Sequence, residues 1–283
     1  MLREFDLRLP DGRTLHVYDT GPDDAADRPA VFWHHGTPNI GTPPEPLFPV
    51  SDRLGIRWVS YDRPGYGSST RVPGRNLASA AADVIRVADA LGLARFAVMG
   101  HSGGGSHALA CAVLFPDRVR AVLSVSGLAP YGADGLDWFA GMSRSGQASL
   151  RAAAAGRAAK EKHEASAEYD PEMFSPEDHA ALEGVWSWFG SVVEPAIASG
   201  PGGQIDDDIA YVSPWGCDPG QVTQPVLLLH GERDRVVPSP HGEWLARHCP
   251  GAELRLYPDD GHISVLHAAP DALEWLHANA GPA

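Results

Sequence analysis

The sequence contains few cysteines, and their positions form no pattern. Its 283 residues include only Cys111, Cys217 and Cys249, an odd number of widely spaced thiols. A disulfide framework or a structural metal centre needs paired or clustered ligands, and no group of histidines and cysteines has metal-ligand spacing. We therefore expect reduced thiols, a cytoplasmic location, and neither a metal nor an organic cofactor.

Basic residues and long apolar runs are also scarce. The 22 lysines and arginines are outnumbered by 36 aspartates and glutamates, which gives a formal net charge of −14. Such an excess of negative charge repels nucleic-acid phosphates and anionic membrane surfaces. No apolar run approaches membrane-spanning length, and the first six residues are too charged for a signal peptide. We expect neither nucleic acid nor membrane as a partner.

Glycine, in contrast, is abundant, and one glycine-rich pentapeptide is the most informative feature of the chain. Gly100-His101-Ser102-Gly103-Gly104 follows the apolar, β-prone residues 96–99 and precedes the small, helix-compatible residues 105–114. A strand that turns into a helix at G-x-S-x-G holds the serine on a strained bend, with its hydroxyl exposed above a helix N-terminus. The pattern predicts a nucleophile elbow with Ser102 as the nucleophile.

A second pattern overlaps the first. Gly103-x-Gly105-x-x-Ala108 also fits the G-x-G-x-x-A fingerprint of dinucleotide-binding proteins. That fingerprint belongs to the first strand–helix unit of a domain, and an acidic residue follows about twenty residues later at the end of the next strand. Here the strand is not the first, and the next one, Val119–Val125, ends in Ser126-Gly127. The elbow is the better interpretation.

Strand and helix patterns alternate along most of the chain. After an opening hairpin, apolar strand patterns recur at residues 30–35, 56–61, 96–99 and 121–125. Helical patterns without any strand then follow at residues 135–143, 147–169, 176–199 and 206–211. The alternation predicts an α/β protein with a mainly parallel sheet covered on both faces. We assign residues 1–128 and 223–283 to this core, and residues 129–222 to a helical lid inserted after the sixth strand.

Four motifs make this order of elements resemble the α/β-hydrolase superfamily over nearly the whole chain. They are His35-Gly36 after a strand, Asp62-Arg63-Pro64-Gly65-Tyr66-Gly67-Ser68-Ser69, the elbow, and the pair Gly231-Glu232-Arg233-Asp234 and Asp260-Gly261-His262. The resemblance implies the α/β-hydrolase fold, a mostly parallel eight-stranded sheet flanked by helices. The family's chain order of nucleophile, acid and histidine implies a catalytic triad of Ser102, Asp234 and His262.

The chemistry of acyl transfer requires each of these residue types. A serine hydroxyl is too weak an acid to attack unaided, so a histidine must take its proton and return it to the leaving group. A carboxylate on the other ring nitrogen fixes the tautomer. Among 13 histidines, His262 lies in a turn after the apolar residues 254–257, where a loop can project it over the sheet edge. Asp134 remains an alternative acid, because some family members place the acid after the preceding strand.

An oxyanion hole needs two backbone N–H donors directed at the developing negative charge. The resemblance implies that one donor follows the nucleophile, here Gly103, and that the other lies in the first strand–helix loop, Gly36-Thr37-Pro38. Because Pro38 has no N–H, Thr37 is the predicted donor. His35 is expected to order this loop, whereas His230, within an apolar strand, is expected to be structural.

Departures from the patterns of particular relatives narrow the reaction. Dehalogenases and epoxide hydrolases of the superfamily use an aspartate nucleophile, and prolyl iminopeptidases have a Gly-Gly-Pro-Gly loop where this chain has Gly36-Thr37-Pro38-Asn39. We expect a carboxylesterase-like serine hydrolase that cleaves a small apolar ester, lactone or thioester through an acyl-enzyme, as a monomer or homodimer. The lid residues Trp138, Trp186 and Phe189 are predicted to line its substrate pocket. Two alternatives remain: a lyase or cyclase on the same triad, and a ligand-binding receptor that retains the fold.

Overall fold

An eight-stranded sheet forms the centre of the computed structural model, which describes residues 2–21, 28–198 and 200–281. The strands are β1 (Arg3–Arg8), β2 (Thr14–Asp19), β3 (Ala30–His34), β4 (Arg57–Tyr61), β5 (Phe96–His101), β6 (Val119–Val125), β7 (Val226–Gly231) and β8 (Glu253–Tyr257). Their order across the sheet is β1-β2-β4-β3-β5-β6-β7-β8. Strand β2 is antiparallel to β1 and β4, and all other neighbours are parallel. The predicted fold class, a mostly parallel eight-stranded α/β sheet, is confirmed.

Helices cover both faces of the sheet. Those of the described residues are α1 (Phe48–Leu54), α2 (Leu77–Ala90), α3 (Gly103–Leu114), α4 (Arg144–Ala154), α5 (Arg157–Glu164), α6 (Pro176–Glu183), α7 (Phe189–Ala198), α8 (Gly202–Tyr211), α9 (Pro240–His248) and α10 (Ala269–Ala280). Alternate residues of a strand face opposite layers of helices. In β5, Val98 packs in the layer that contains Leu77 and Leu109, whereas Met99 packs in the layer that contains Leu273. The continuous apolar run at residues 96–99 follows from this burial on both faces.

The longest connection runs from β6 to β7, residues 126–225, and we call it the inserted segment. Its described residues contain α4 to α8 and no strand. Helices α4 and α5 pack on α8, while α6 packs on the 3₁₀ turn Ser264–Ala268 of the core. The helical insertion thus follows the sixth strand of the sheet.

Residues 135–143 of the inserted segment form turns and not the helix that their pattern predicts. Gly135 and Gly141 adopt positive φ angles of 76° and 86°. A right-handed helix cannot contain this conformation, which glycine adopts readily because it has no Cβ. The prediction of a helix here was therefore wrong.

Two other predicted helices are each divided at a glycine. Gly156, with a φ of 106°, separates α4 from α5 within residues 147–169. Gly184 separates α6 from a 3₁₀ turn, Val185–Trp188, which leads directly into α7. The predicted last residue of that second helix lies outside the described residues.

The cysteine side chains of the chain are free thiols. Burial raises the pKa of Cys249 to about 12 and that of Cys217 to about 11. They are therefore protonated near neutral pH and poor nucleophiles. None of the helices in the described ranges combines the length and the hydropathy needed to cross a bilayer.

Candidate active site

Ser102 lies at the sharp turn between β5 and α3. Its φ of 59° and ψ of −133° fall outside the conformations that residues with side chains ordinarily adopt. A Cβ on Gly100 would lie 2.1 Å from the carbonyl oxygen of Gly104, and a Cβ on Gly104 would lie 2.0 Å from that of His34. The turn therefore depends on the absence of side chains on either side of Ser102, as an elbow requires.

His262 and Asp234 are joined by a hydrogen bond of 2.7 Å between Nδ1 and Oδ2. The other carboxylate oxygen of Asp234 accepts the N–H groups of Val236 and Val237, each at 2.8 Å. These bonds fix the carboxylate, which in turn fixes the imidazole with its proton on Nδ1. Nε2 is then the ring atom that can accept a proton.

The charges of this pair stabilise each other. Burial would lower the pKa of His262, but the Asp234 carboxylate outweighs burial and raises that pKa above its ordinary value. Burial would likewise raise the pKa of Asp234, but His262 lowers it. Asp134, the alternative acid, is solvent-exposed, and the carboxylate that contacts His262 is that of Asp234. Such a histidine is suited to general-base chemistry near neutral pH.

The loop after β3 contains the predicted donor Thr37, and His35 shapes this loop. The Nδ1–H of His35 donates to the Gly36 carbonyl at 2.8 Å, and Nε2 accepts the Arg63 backbone N–H at 3.0 Å. Burial lowers the pKa of His35 well below its ordinary value, so the ring stays neutral and keeps this tautomer. Thr37 is thereby held at the wall of the cavity that contains Ser102.

Asp207, a buried carboxylate of α8, fixes the same loop from the inserted segment. Its Oδ2 accepts the Thr37 hydroxyl at 2.7 Å and an Arg63 N–H at 2.8 Å, and its Oδ1 accepts an Arg75 N–H at 2.5 Å. Burial would raise the pKa of Asp207, but the two guanidinium groups hold it well below its ordinary value. Two positive charges thus face one negative charge, and the surplus lies behind the loop where an oxyanion would form.

Tyr211, also from α8, lies against the second predicted donor, Gly103. A Cβ on Gly103 would lie 1.9 Å from the Tyr211 hydroxyl, which is itself 2.8 Å from the Thr37 hydroxyl. Gly103 is the first residue of α3, so its N–H has no partner within the helix.

Asp207 is the middle one of three consecutive buried aspartates. Successive residues of a helix point about 100° apart, so each aspartate meets a different cation. The pairs are Asp206 with Arg71 and Arg157, Asp207 with Arg63 and Arg75, and Asp208 with Lys160. Three adjacent acids within a helical pattern were the available signal for this network, which sequence reasoning missed.

Ser102 and Thr37 face a cavity of about 430 Å³. Among the described residues that line it there are four carboxylates and neither lysine nor arginine. The carboxylates are those of Glu164, Glu168, Asp170 and Asp208. Lys160 is fully buried, with its ammonium bonded to Glu164 and Asp208. Because Lys160 balances one of the four negative charges, the wall stays negative.

The predicted pocket residues Trp138, Trp186 and Phe189 do not line this cavity in the part of the chain that the structure describes. Trp138 donates its indole N–H to the Ala129 carbonyl at 2.8 Å and packs in one core layer. The rings of Trp186 and Phe189 are 5.9 Å apart and pack in the other core layer. Trp186, in the 3₁₀ turn Val185–Trp188, and Phe189, the first residue of α7, do share a face, but that face packs into the core and does not line the cavity.

Two other histidines near the triad hold loops in place. His101 Nε2 donates to the His262 carbonyl at 2.9 Å, and burial lowers the pKa of His101 to about 3. His230 Nε2 donates to the Val237 carbonyl at 2.6 Å, and burial lowers its pKa too. Both rings are therefore neutral and structural. Within the described ranges, no group of three or more histidine, cysteine or carboxylate side chains could hold a metal ion.

Comparison with known proteins gives matches over most of the chain. A family model described as alpha/beta hydrolase fold matches residues 29–269. The pimeloyl-[acyl-carrier protein] methyl ester esterase of Nitrosomonas europaea is 29% identical over 263 residues, which cover 89% of this chain and 94% of that relative. A protein of Caulobacter vibrioides described as a carbamate hydrolase is 42% identical over 83 residues, which cover 28% of this chain and only 31% of that relative.

Solved structures share the fold at lower sequence identity. The enol-lactonase of Burkholderia xenovorans has a TM-score of 0.72 and 19% identity, with 97% of this chain and 100% of that chain covered. A hydrolase of Pseudomonas aeruginosa has a TM-score of 0.71 and 23% identity, with 98% and 97% covered. Both likenesses cover nearly the whole of this chain.

Proposed function

The chain belongs to the α/β-hydrolase family, and we propose that it is a serine hydrolase that cleaves a small apolar ester, lactone or thioester through an acyl-enzyme on Ser102. One observation carries the proposal: the 2.7 Å hydrogen bond between His262 Nδ1 and Asp234 Oδ2, on loops that adjoin an elbow serine. A backbone as strained as that of Ser102 is typical of functional sites.

In the proposed mechanism, His262 Nε2 accepts the Ser102 proton while Oγ bonds to the substrate carbonyl carbon. The carbonyl oxygen takes up the negative charge and accepts the N–H groups of Thr37 and Gly103. Collapse of this intermediate breaks the bond to the leaving group, which receives the proton from His262, and the acyl group stays on Ser102. Water then gives a proton to His262 and attacks the acyl carbon, and Ser102 regains its proton as the acid departs.

The cavity suggests which substrates suit this chemistry. A volume of about 430 Å³ lies in the range of small-molecule sites, and its apolar lining includes Leu128, Leu150, Val236 and Val237. The carboxylates of the same wall disfavour substrates that carry a carboxylate or phosphate near the reacting bond. The Nitrosomonas europaea relative is named for a methyl ester, which supports ester chemistry for this chain. We therefore propose uncharged or cationic substrates.

Turnover of short p-nitrophenyl esters tests the proposal. Wild-type protein should hydrolyse them and react covalently with a fluorophosphonate. Ser102→Ala should fold, fail to be labelled, and lose at least about 10³-fold in turnover. Ser106→Ala is the matched control, because that hydroxyl lies one turn further along α3 and donates to the Leu128 carbonyl.

Two outcomes would contradict the proposal. Turnover at the wild-type rate in Ser102→Ala would show that Ser102 is not the nucleophile. Labelling of Ser102 without turnover of any ester would favour a ligand-binding receptor over an enzyme.

A further inference from the structure

The loop that carries His262 is held by a carboxylate of the inserted segment, and we infer that this residue, Asp178, is a positioning residue for the catalytic histidine. Asp178 lies in α6, and its side chain is fully buried. Its Oδ1 accepts the N–H groups of Ile263 and Ser264 at 2.7 and 2.8 Å, and its Oδ2 accepts that of His262 at 3.1 Å. One side chain thus binds three consecutive amides of the loop.

Helix capping alone does not account for Asp178. It does form a capping box with Ser175, whose N–H donates to Asp178 Oδ2 at 3.0 Å. A capping box needs one oxygen of the acid, and such residues are ordinarily exposed at a helix start. Here the carboxylate is out of contact with water, which is strongly unfavourable unless hydrogen bonds replace the lost hydration. The three amides of the His262 loop supply most of that replacement.

The His262 loop is built to admit this carboxylate. A Cβ on Gly261 would lie 2.1 Å from Asp178 Oδ2, so the glycine of Asp260-Gly261-His262 is required by the approach of the acid. The Gly261 N–H donates to the Ser264 hydroxyl at 2.7 Å, which closes the turn. The loop and the carboxylate of α6 are therefore shaped to fit each other.

Four titratable groups face His262. Asp234 contacts the ring, Asp178 binds the backbone, and His101 and His230 are kept neutral because burial lowers their pKa values. Burial would lower the pKa of His262, but the charges of Asp234 and, to a smaller extent, Asp178 raise it above its ordinary value. Loss of the Asp178 charge should therefore lower the pKa of His262, while loss of its hydrogen bonds should displace the ring.

This inference rests on the proposed function, and its test compares Asp178→Asn with Glu177→Gln, the same chemical change one residue earlier. Glu177 forms an exposed ion pair with Arg233 on the outside of α6. Both oxygens of Asp178 accept backbone N–H groups, so in Asp178→Asn the side-chain NH₂ must face one of these N–H groups and the loop shifts. A shift of about 1 Å in a catalytic group can lower the rate about 100-fold. We expect kcat to fall about tenfold or more with little change in KM.

The pH dependence of the same variants separates positioning from mere stabilisation. In Asp178→Asn the acidic midpoint of kcat/KM should move to lower pH, by up to about one unit. Glu177→Gln should leave both kcat and the midpoint unchanged. Unchanged kcat and midpoint in Asp178→Asn, even with a lower melting temperature, would overturn the inference.

An NMR titration of the His262 ring measures its pKa without turnover. It therefore distinguishes failure of the proposed function from failure of the inference about Asp178. Absence of ester turnover and of Ser102 labelling in the wild type would contradict the proposed function, while the ring pKa still tests Asp178. If Asp178→Asn does not fold, Asp178→Glu keeps the charge and displaces the oxygens. It should keep the ring pKa and lower kcat, and wild-type kcat in that variant would overturn the inference.

Discussion

Two helices dock the inserted segment on the core in opposite ways. Helix α7 and the turn before it bury Trp186 and Phe189 among apolar residues of one sheet layer. Helix α8 instead buries three aspartates against cations, most of which belong to core loops. Apolar burial depends mainly on area, whereas a buried charge is tolerated only with its partners in place. Because the α8 contact includes Thr37, it is the one that holds the loop after β3 in place.

The largest effect should come from removing the central charge of the α8 contact. Asp207→Asn leaves Arg63 and Arg75 buried without a counter-charge, which should cost about 3–5 kcal/mol in unfolding free energy and lower kcat as the loop after β3 loses its support. Urea denaturation and ester turnover measure the two effects. Asp206→Asn is the control, since its partners Arg71 and Arg157 are partly exposed. Equal losses of unfolding free energy and kcat in Asp207→Asn and Asp206→Asn would contradict the special role of Asp207 in the α8 contact.

A smaller effect is expected at the aromatic contact. Phe189→Leu should cost about 1–2 kcal/mol and leave the ratio of KM for long and acetyl esters unchanged, because Phe189 packs in the core. Leu150→Ala, in the wall of the cavity, should raise KM for the long esters selectively. A changed ratio of these KM values in Phe189→Leu would show that Phe189 contacts the substrate after all.

The two contacts should also differ in their response to acid. The pKa of Asp207 is lowered in the folded state, so its ionisation contributes stability above the unfolded-state pKa of about 4, and that stability is lost as the pH falls through the folded-state value. The difference in unfolding free energy between wild type and Asp207→Asn should therefore shrink below about pH 4. The difference for Phe189→Leu should stay constant over the same range, as measured by denaturation at each pH.

The smallest expected effect concerns charged substrates at the cavity mouth. We compare p-nitrophenyl esters whose matched acyl chains end in a quaternary ammonium or in a carboxylate. The wild type should favour the cation about fivefold in kcat/KM at low ionic strength, which corresponds to about 1 kcal/mol, and less at high salt. Glu168→Gln should weaken the preference and Glu172→Gln, outside the cavity, should not. A preference for the carboxylate would show that other charges select the substrate.

Local patterns were sufficient to predict the sheet, whereas the acid–histidine pair was predicted from the resemblance to the superfamily. Residues 96–99 are apolar because both faces of β5 are buried, so the strand is recognisable in the sequence as a continuous apolar run. Asp234 and His262 were assigned from the chain order that the resemblance implies, with Asp134 as the alternative acid, and the structure joins Asp234 to His262. Their catalytic roles stay predictions.

The rest of the site depends on contacts that no local pattern records. Asp178 meets His262 across 84 residues of chain, and Asp207 meets Arg63 across 144. An acid in a polar helix is usually a solvated one, so Asp178 could not be recognised as buried, and the run of three acids around Asp207 was the one signal of the other contact. The predicted helix boundaries in the inserted segment were wrong for a different reason. Glycines such as Gly156 interrupt patterns that are otherwise compatible with helix.

Helix α8 bears on how this protein can be recombined with its relatives. A chimaera that exchanges everything between β6 and β7 would discard Asp207 and Tyr211 and leave Arg63 and Arg75 in the host without a counter-ion. A graft that stops before Gly202 would keep all four together. The crossover point for this network therefore lies inside the insertion: residues 202–225 must be inherited with the core, and Asp178, which binds the His262 loop, must be kept as well.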